Sequence, residues 1–91
     1  MAKSKQKFWV VGEKYLIRCV THYYVGELVE KNAEEVILTK ASWVVDTGRF
    51  HDALKGGDMS EYEPFVDDVS VSLGSRVDAT KWRHPLPDKQ K

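Results

Sequence analysis

The stretch Tyr24–Ala41, YVGELVEKNAEEVILTKA, decides how the rest of the chain reads. Tyr24, Gly26, Leu28 and Glu30 alternate with Val25, Glu27 and Val29, which is the period of a strand. Lys31-Asn32-Ala33-Glu34 supplies a polar turn, and Glu35–Lys40 returns as a second β-branched strand, EVILTK. Glycine inside a strand weakens it and marks a bend or a close backbone approach, so Gly26 predicts a sharply curved hairpin.

Upstream, Tyr15–Val20 (YLIRCV) is apolar on both faces except at Arg18, as a strand covered on both sides should be. Before it, FWVV (Phe8–Val11), ended by Gly12, is either a first strand or a loop anchoring aromatics on the core. Downstream, Ser42–Val45 (SWVV) continues or follows the second hairpin strand after a break near Ala41. Asp46 and Thr47 read as N-cap residues for two helical turns over 48–55, stopped by Gly56-Gly57. Asp58–Asp68 (DMSEYEPFVDD) reads as an acidic loop, Val69–Leu73 (VSVSL) as a strand, and Arg76–Trp82 as the last one. His84-Pro85-Leu86-Pro87 cannot continue a sheet interior, because proline lacks the amide donor, so the tail is expected to leave as extended chain.

These elements predict an all-β fold: a small, strongly bent, five-stranded barrel with one short helical insertion. The expected plan is a basic lead-in over 1–14, a barrel over 15–82 with its helix at about 47–56 and an acidic loop at 57–68, and a basic tail over 83–91. With 91 residues the chain makes one domain near the low end of a self-sufficient core, where oligomerisation often supplies stability. No apolar run approaches the length of a membrane span or a signal peptide, and the lone Cys19 suits a reduced, buried thiol, so a cytoplasmic protein is expected.

Net charge is zero but uneven. Lys3, Lys5 and Lys7 give the first seven residues +3; Lys81, Arg83, Lys89 and Lys91 against Asp88 give the end +3; the body between, with 7 basic and 13 acidic side chains, carries −6. Basic ends attract phosphate by counterion release, and short lysine-rich termini equally serve as solubilising tails. His22, His51 and His84 lack the spacing of metal ligands, and His51-Asp52 has no accompanying nucleophile or phosphate loop, so neither metal, cofactor nor catalysis is expected. Tyr23, Tyr24, Trp43 and Trp82, with Arg18, Arg76 or Arg83, are candidates for stacking on nucleic-acid bases; filling the core or a subunit interface is the alternative. Tyr24 is assigned to the core, Tyr23 to the surface, and Trp82-Arg83-His84 to a binding or inter-subunit element.

The apolar–Gly26–x–Leu28 strand, its turn and the following apolar strand resemble the first signature of the Sm-like proteins, and VSLGSRVDATKW over 71–82 resembles their last strand pair. The likeness covers about two-thirds of the chain, and the sequence is also similar to small proteins of bacteria and their phages. It implies a homo-oligomeric ring formed by pairing of edge strands, with single-stranded RNA bound at the inner rim. Counting from Leu28, the family's Asp and Asn positions fall on Asn32 and Glu35, and Gly74-Ser75-Arg76 stands where the family has Arg-Gly or Lys-Gly. Asn32, Arg76 and Tyr23, together with Trp82 and Arg83, are therefore the expected RNA contacts. An oligomeric scaffold or adaptor that binds protein instead of RNA is the second expectation.

Overall fold

The computed structural model describes residues 8–91. Six antiparallel strands form one sheet: β1 (Lys14–Cys19), β2 (Tyr23–Lys31), β3 (Glu35–Asp46), β4 (Glu61–Pro64), β5 (Val69–Ser72) and β6 (Arg76–Lys81). A single helix, α1 (Phe50–Gly56), lies between β3 and β4, and a 3-10 turn (Leu73–Ser75) joins β5 to β6. The spatial order is β4-β3-β2-β1-β6, with β5 paired to β3 beside that path. The fold is thus β-rich with one short helix, as the sequence predicts. It has six strands and not five, and the sheet is open: among the described residues β6 pairs only with β1 and β5 only with β3. The link between β5 and β6 is covalent, through the 3-10 turn, in place of the ladder that would close a barrel.

β1 is buried on both faces, and the two faces belong to two cores. Tyr15, Ile17 and Cys19 join Leu28, Val36, Leu38, Ala41 and Val71 in the first. Leu16 joins Val25, Val44, Ala53, Met59 and Trp82 in the second. Strand alternation assigns neighbouring residues to opposite sides, and α1 is what covers the second side through Ala53 and Leu54.

The bend expected at Gly26 is a bulge. Val25 registers with Ser42 and Glu27 with Thr39, so Gly26 faces the two residues Lys40 and Ala41. Lys40, one of the two bulged residues, has a positive φ of 50°. A Cβ on Gly26 would stand 2.9 Å from the Ala41 Cβ, so close approach is why glycine is there. The break near Ala41 is this bulge, and β3 runs through it as one 12-residue strand. Its first half carries β5 and its second half β4.

Three local expectations differ. The acidic 57–68 loop contains β4, because Tyr62 turns inward onto the second core while Glu61 and Glu63 face water. The N-cap of α1 is Arg49, in extended conformation and without a side-chain cap bond. Asp46 spends its carboxylate on the Gly48 N–H (2.8 Å) instead, and the Thr47 hydroxyl donates to the Gly48 carbonyl. The helix stop is as read: Gly57 is left-handed and returns its N–H to Ala53. Finally, residues 83–91 pack back on the body. His84 Nε2 lies 2.7 Å from the Leu54 carbonyl, Leu86 lies against the second core, Lys91 pairs with Asp58, and Lys91 and Tyr62 exchange backbone hydrogen bonds. Among the described residues no helix is long and apolar enough to cross a membrane.

Candidate nucleic-acid interface

The β2–β3 turn is built by Asn32. Its side-chain oxygen accepts from the Glu34 and Glu35 N–H groups at 2.8 and 3.0 Å, while its backbone N–H donates to the Glu35 carbonyl. The side-chain amide of Asn32 faces Glu35 Oε2 at 3.5 Å. Glu35 also accepts from the Ser70 hydroxyl on β5, which ties the turn to the neighbouring strand.

The 3-10 turn is held in a similar way, with Ser72 Oγ accepting from the Gly74 N–H and the Ser75 hydroxyl donating to the Ser72 carbonyl. The Leu73 N–H donates to the Glu34 carbonyl at 2.9 Å, so the two turns touch. Arg76 leaves the second turn and sets its guanidinium 5.6 Å from the centroid of the Trp9 ring.

Trp9 belongs to the lead-in, which anchors aromatics and forms no strand. Tyr15, buried in β1, donates its hydroxyl to the Phe8 carbonyl at 2.6 Å and accepts from the Val10 N–H at 2.7 Å. The Trp9 ring lies 4.8 Å from that of Tyr15 and meets Phe8 edge-on at 5.0 Å. Gly12 donates its N–H to Leu28, closing the segment against β2. Phe8, Trp9, Val11, Leu28 and Lys31 together line a cavity of about 460 Å³. Phe8 is 42% exposed, and among the described residues the Lys31 ammonium has one hydrogen bond, 3.3 Å to the Asn32 carbonyl. The result is a depression lined by the exposed Phe8 ring, Trp9 and Lys31, with the Arg76 guanidinium against the Trp9 ring beside it. That combination is suited to stacking a planar base and neutralising the phosphate beside it.

Of the five residues the sequence singles out, Arg76 alone comes near this depression, through its contact with the lining residue Trp9. Asn32 shapes its neighbouring turn but has its amide oxygen occupied. Tyr23 packs on the second core, its ring 5.8 Å from Phe50, and so lies across the sheet from Trp9, which packs on the first. Trp82 is only 2% exposed; it fills the second core, with its indole N–H 3.4 Å from the Pro85 carbonyl, and offers no π face to a ligand. Arg83 is exposed, in the tail that covers this same core. Lys3, Lys5 and Lys7 lie outside the described residues.

Phe8, Trp9 and Lys31 were not singled out by sequence reasoning. The available signal was an aromatic pair directly after a lysine-rich segment and before a glycine, which alternation rules score only as a weak strand. Arg18, the other candidate cation, is held by Asp78 through both Nε and Nη2, and this ion pair raises its pKa further. No three His, Cys, Asp or Glu side chains converge as metal ligands among the described residues. No family model, no curated protein and no solved structure matches this chain.

Proposed function

We propose that the protein is a non-catalytic Sm-like module that binds single-stranded RNA at the Phe8–Trp9–Lys31 depression and the adjacent Arg76, and assembles with copies of itself through its strand edges. The observation that carries the binding role is the Arg76 guanidinium over Trp9, beside a cavity whose rim holds Lys31. Stacking supplies base contact without sequence demand, and the two cations supply phosphate contact. Supporting the Sm-like assignment are the strand order, the bulge that bends the β2–β3 hairpin at Gly26, and the short 3-10 turn between the last two strands. Supporting assembly are the outer edges of β5 and β6, which have no ladder neighbour among the described residues, and Val77 on β6, which is 54% exposed.

The test is fluorescence anisotropy with labelled U-rich and A-rich oligoribonucleotides at two salt concentrations, on wild type and on Arg76→Ala/Lys31→Ala. Each lost phosphate contact should lower the salt slope by about 0.7 for a single strand, so the double variant should show a slope smaller by about 1.4. An unchanged slope, or no binding by the wild type, rejects the reading. Light scattering on the same samples reports the oligomer, and a monomer at all concentrations rejects the assembly part.

A further inference from the structure

A second exposed surface has a different chemistry and shares no lining residue with the Trp9 depression. Four aromatic side chains, from β2, β3 and the residues flanking β2 and β4, form a continuous strip. The His22 ring lies 4.9 Å from Tyr24 and 5.7 Å from Trp43, and Tyr24 stacks on Phe65 at 6.0 Å with 24° between planes. Trp43 is 39% exposed and Phe65 38%, while Val66 at the adjoining tip is 99% exposed. Large apolar groups held in a row at the surface are costly to leave wet and mark contact sites.

The strip runs into a groove of about 330 Å³ whose apolar lining includes Ala41, Pro64, Phe65, Val66 and Pro87. Three carboxylates, Asp67, Asp68 and Asp88, line the same groove, and none has a cation within ion-pair distance among the described residues. The groove's one cation, Lys40, faces Glu27 at 3.9 Å.

Position in the sheet narrows the mode of contact. Tyr24 lies in β2 between β1 and β3, and Trp43 lies in β3 between β2 and β4. Their backbone groups already have ladder neighbours on both sides, so a partner cannot add here as another strand. A ligand must instead be recognised through side chains. A polyproline II segment suits this, because its backbone makes no internal or ladder hydrogen bonds and its proline rings pack on aromatic faces.

Charge decides between occupants. Three carboxylates repel the phosphates of a nucleic acid, and in a two-fold contact centred on the groove they would face their own counterparts. They attract a basic group. We propose that the His22–Tyr24–Trp43–Phe65 strip docks an extended, proline-rich segment of another protein, with an arginine or lysine of that segment seated among Asp67, Asp68 and Asp88.

The probe is a fluorescein-labelled twelve-residue peptide of Pro-Pro-Arg repeats, read by anisotropy against its Pro-Pro-Glu and Gly-Ser-Arg counterparts. The expected order is Pro-Pro-Arg first, with each control at least tenfold weaker. Trp43→Ala should weaken the first peptide about tenfold, as loss of a central aromatic contact does. Asp67→Lys/Asp68→Lys should remove the preference of arginine over glutamate while leaving the proline requirement. Far-UV circular dichroism checks that each variant is folded, and both altered sites are exposed enough to tolerate the change. Equal binding of the Pro-Pro-Glu or Gly-Ser-Arg peptide overturns the proposal, as does a folded Trp43→Ala variant that binds unchanged. Sensitivity to Arg76→Ala but not to Trp43→Ala also overturns it, because the peptide would then be reading the other depression. RNA binding lost in Trp43→Ala and kept in Arg76→Ala would reassign the strip to nucleic acid.

Discussion

Replacing Gly26 by alanine tests the bulge directly. No positive φ bars a side chain at this position, so in open space alanine would stabilise the fold by about 0.4–1 kcal/mol, through the entropy of the unfolded chain. The space is not open. The new methyl would stand 2.9 Å from the Ala41 Cβ and 3.1 Å from both the Ala41 Cα and the Leu38 Cβ, where carbon pairs prefer about 3.5–4.0 Å. Ala41 and Leu38 are both buried in the first core, so neither swings aside into solvent. Overpacking of this kind costs about 1–3 kcal/mol, and that outweighs the entropy gain. The expected net loss is about 1–2 kcal/mol, read as a lower urea midpoint with an unchanged m value, and as a fall in Tm of about 10 °C for a domain this size. The partner change Ala41→Gly removes the shortest contact. Alone it costs about 1–2 kcal/mol in lost methyl burial and added chain freedom. Combined with Gly26→Ala it should be less harmful than the sum by about 1 kcal/mol. A stable Gly26→Ala protein, or simple additivity in the double variant, would refute the close-approach argument.

Two further outcomes follow from buried groups. Ser42 is fully buried and its hydroxyl has no hydrogen-bond partner among the described residues, so Ser42→Ala should raise the unfolding free energy by about 1 kcal/mol in urea titration; a loss would show that the hydroxyl is bonded in solution. Burial pushes the Cys19 thiol above its ordinary value of 9.0, and Tyr24 is shifted upward from 10.0 for the same reason. In the window between the unfolded and folded values the unfolded chain has already released protons that the native state keeps, so stability is full below about pH 9 and falls as pH rises through that window. Cys19→Ala should flatten the lower part of that decline in denaturant titrations between pH 8 and 11; an identical profile would refute the assignment.

Much of the fold was legible because alternation was strong where burial was strong. YLIRCV announced a strand with two covered faces, and the two cores divide along its odd and even residues. Gly26 announced the bend for the reason later seen in the Ala41 contact. β4 was hidden because EYEP has one inward aromatic among acids and a proline, a pattern shared with loops. The helix cap was misplaced because Asp46 and Thr47 are capable caps whose bonds went to Gly48. At the candidate interface Arg76 was legible from the turn before it, but its partner Trp9 was not. Trp9 packs on the first core and Arg76, at the start of β6, reaches over to it, and no local rule links positions so distant in sequence. Trp82 was misjudged for the opposite reason. Its neighbours Arg83 and His84 suggested exposure, whereas the tail folds back through Leu86 and seals the indole inside.

The pairing of β1 with β6 also bears on how the chain reaches this fold. Tyr15 registers with Lys81 and Arg18 with Asp78, so the most buried strand finds its second neighbour at the far end of the sequence. The β2–β3 hairpin and its link to β1 close over short spans and can form early. Until β6 arrives, β1 is an apolar edge with a row of unpaired amides and carbonyls. Closure over so long a span is slow, and an exposed edge of this kind pairs readily with another chain. Refolding yield should therefore depend on protein concentration more strongly than the modest size of the domain suggests, with β1 as the strand that commits the chain either to itself or to an aggregate.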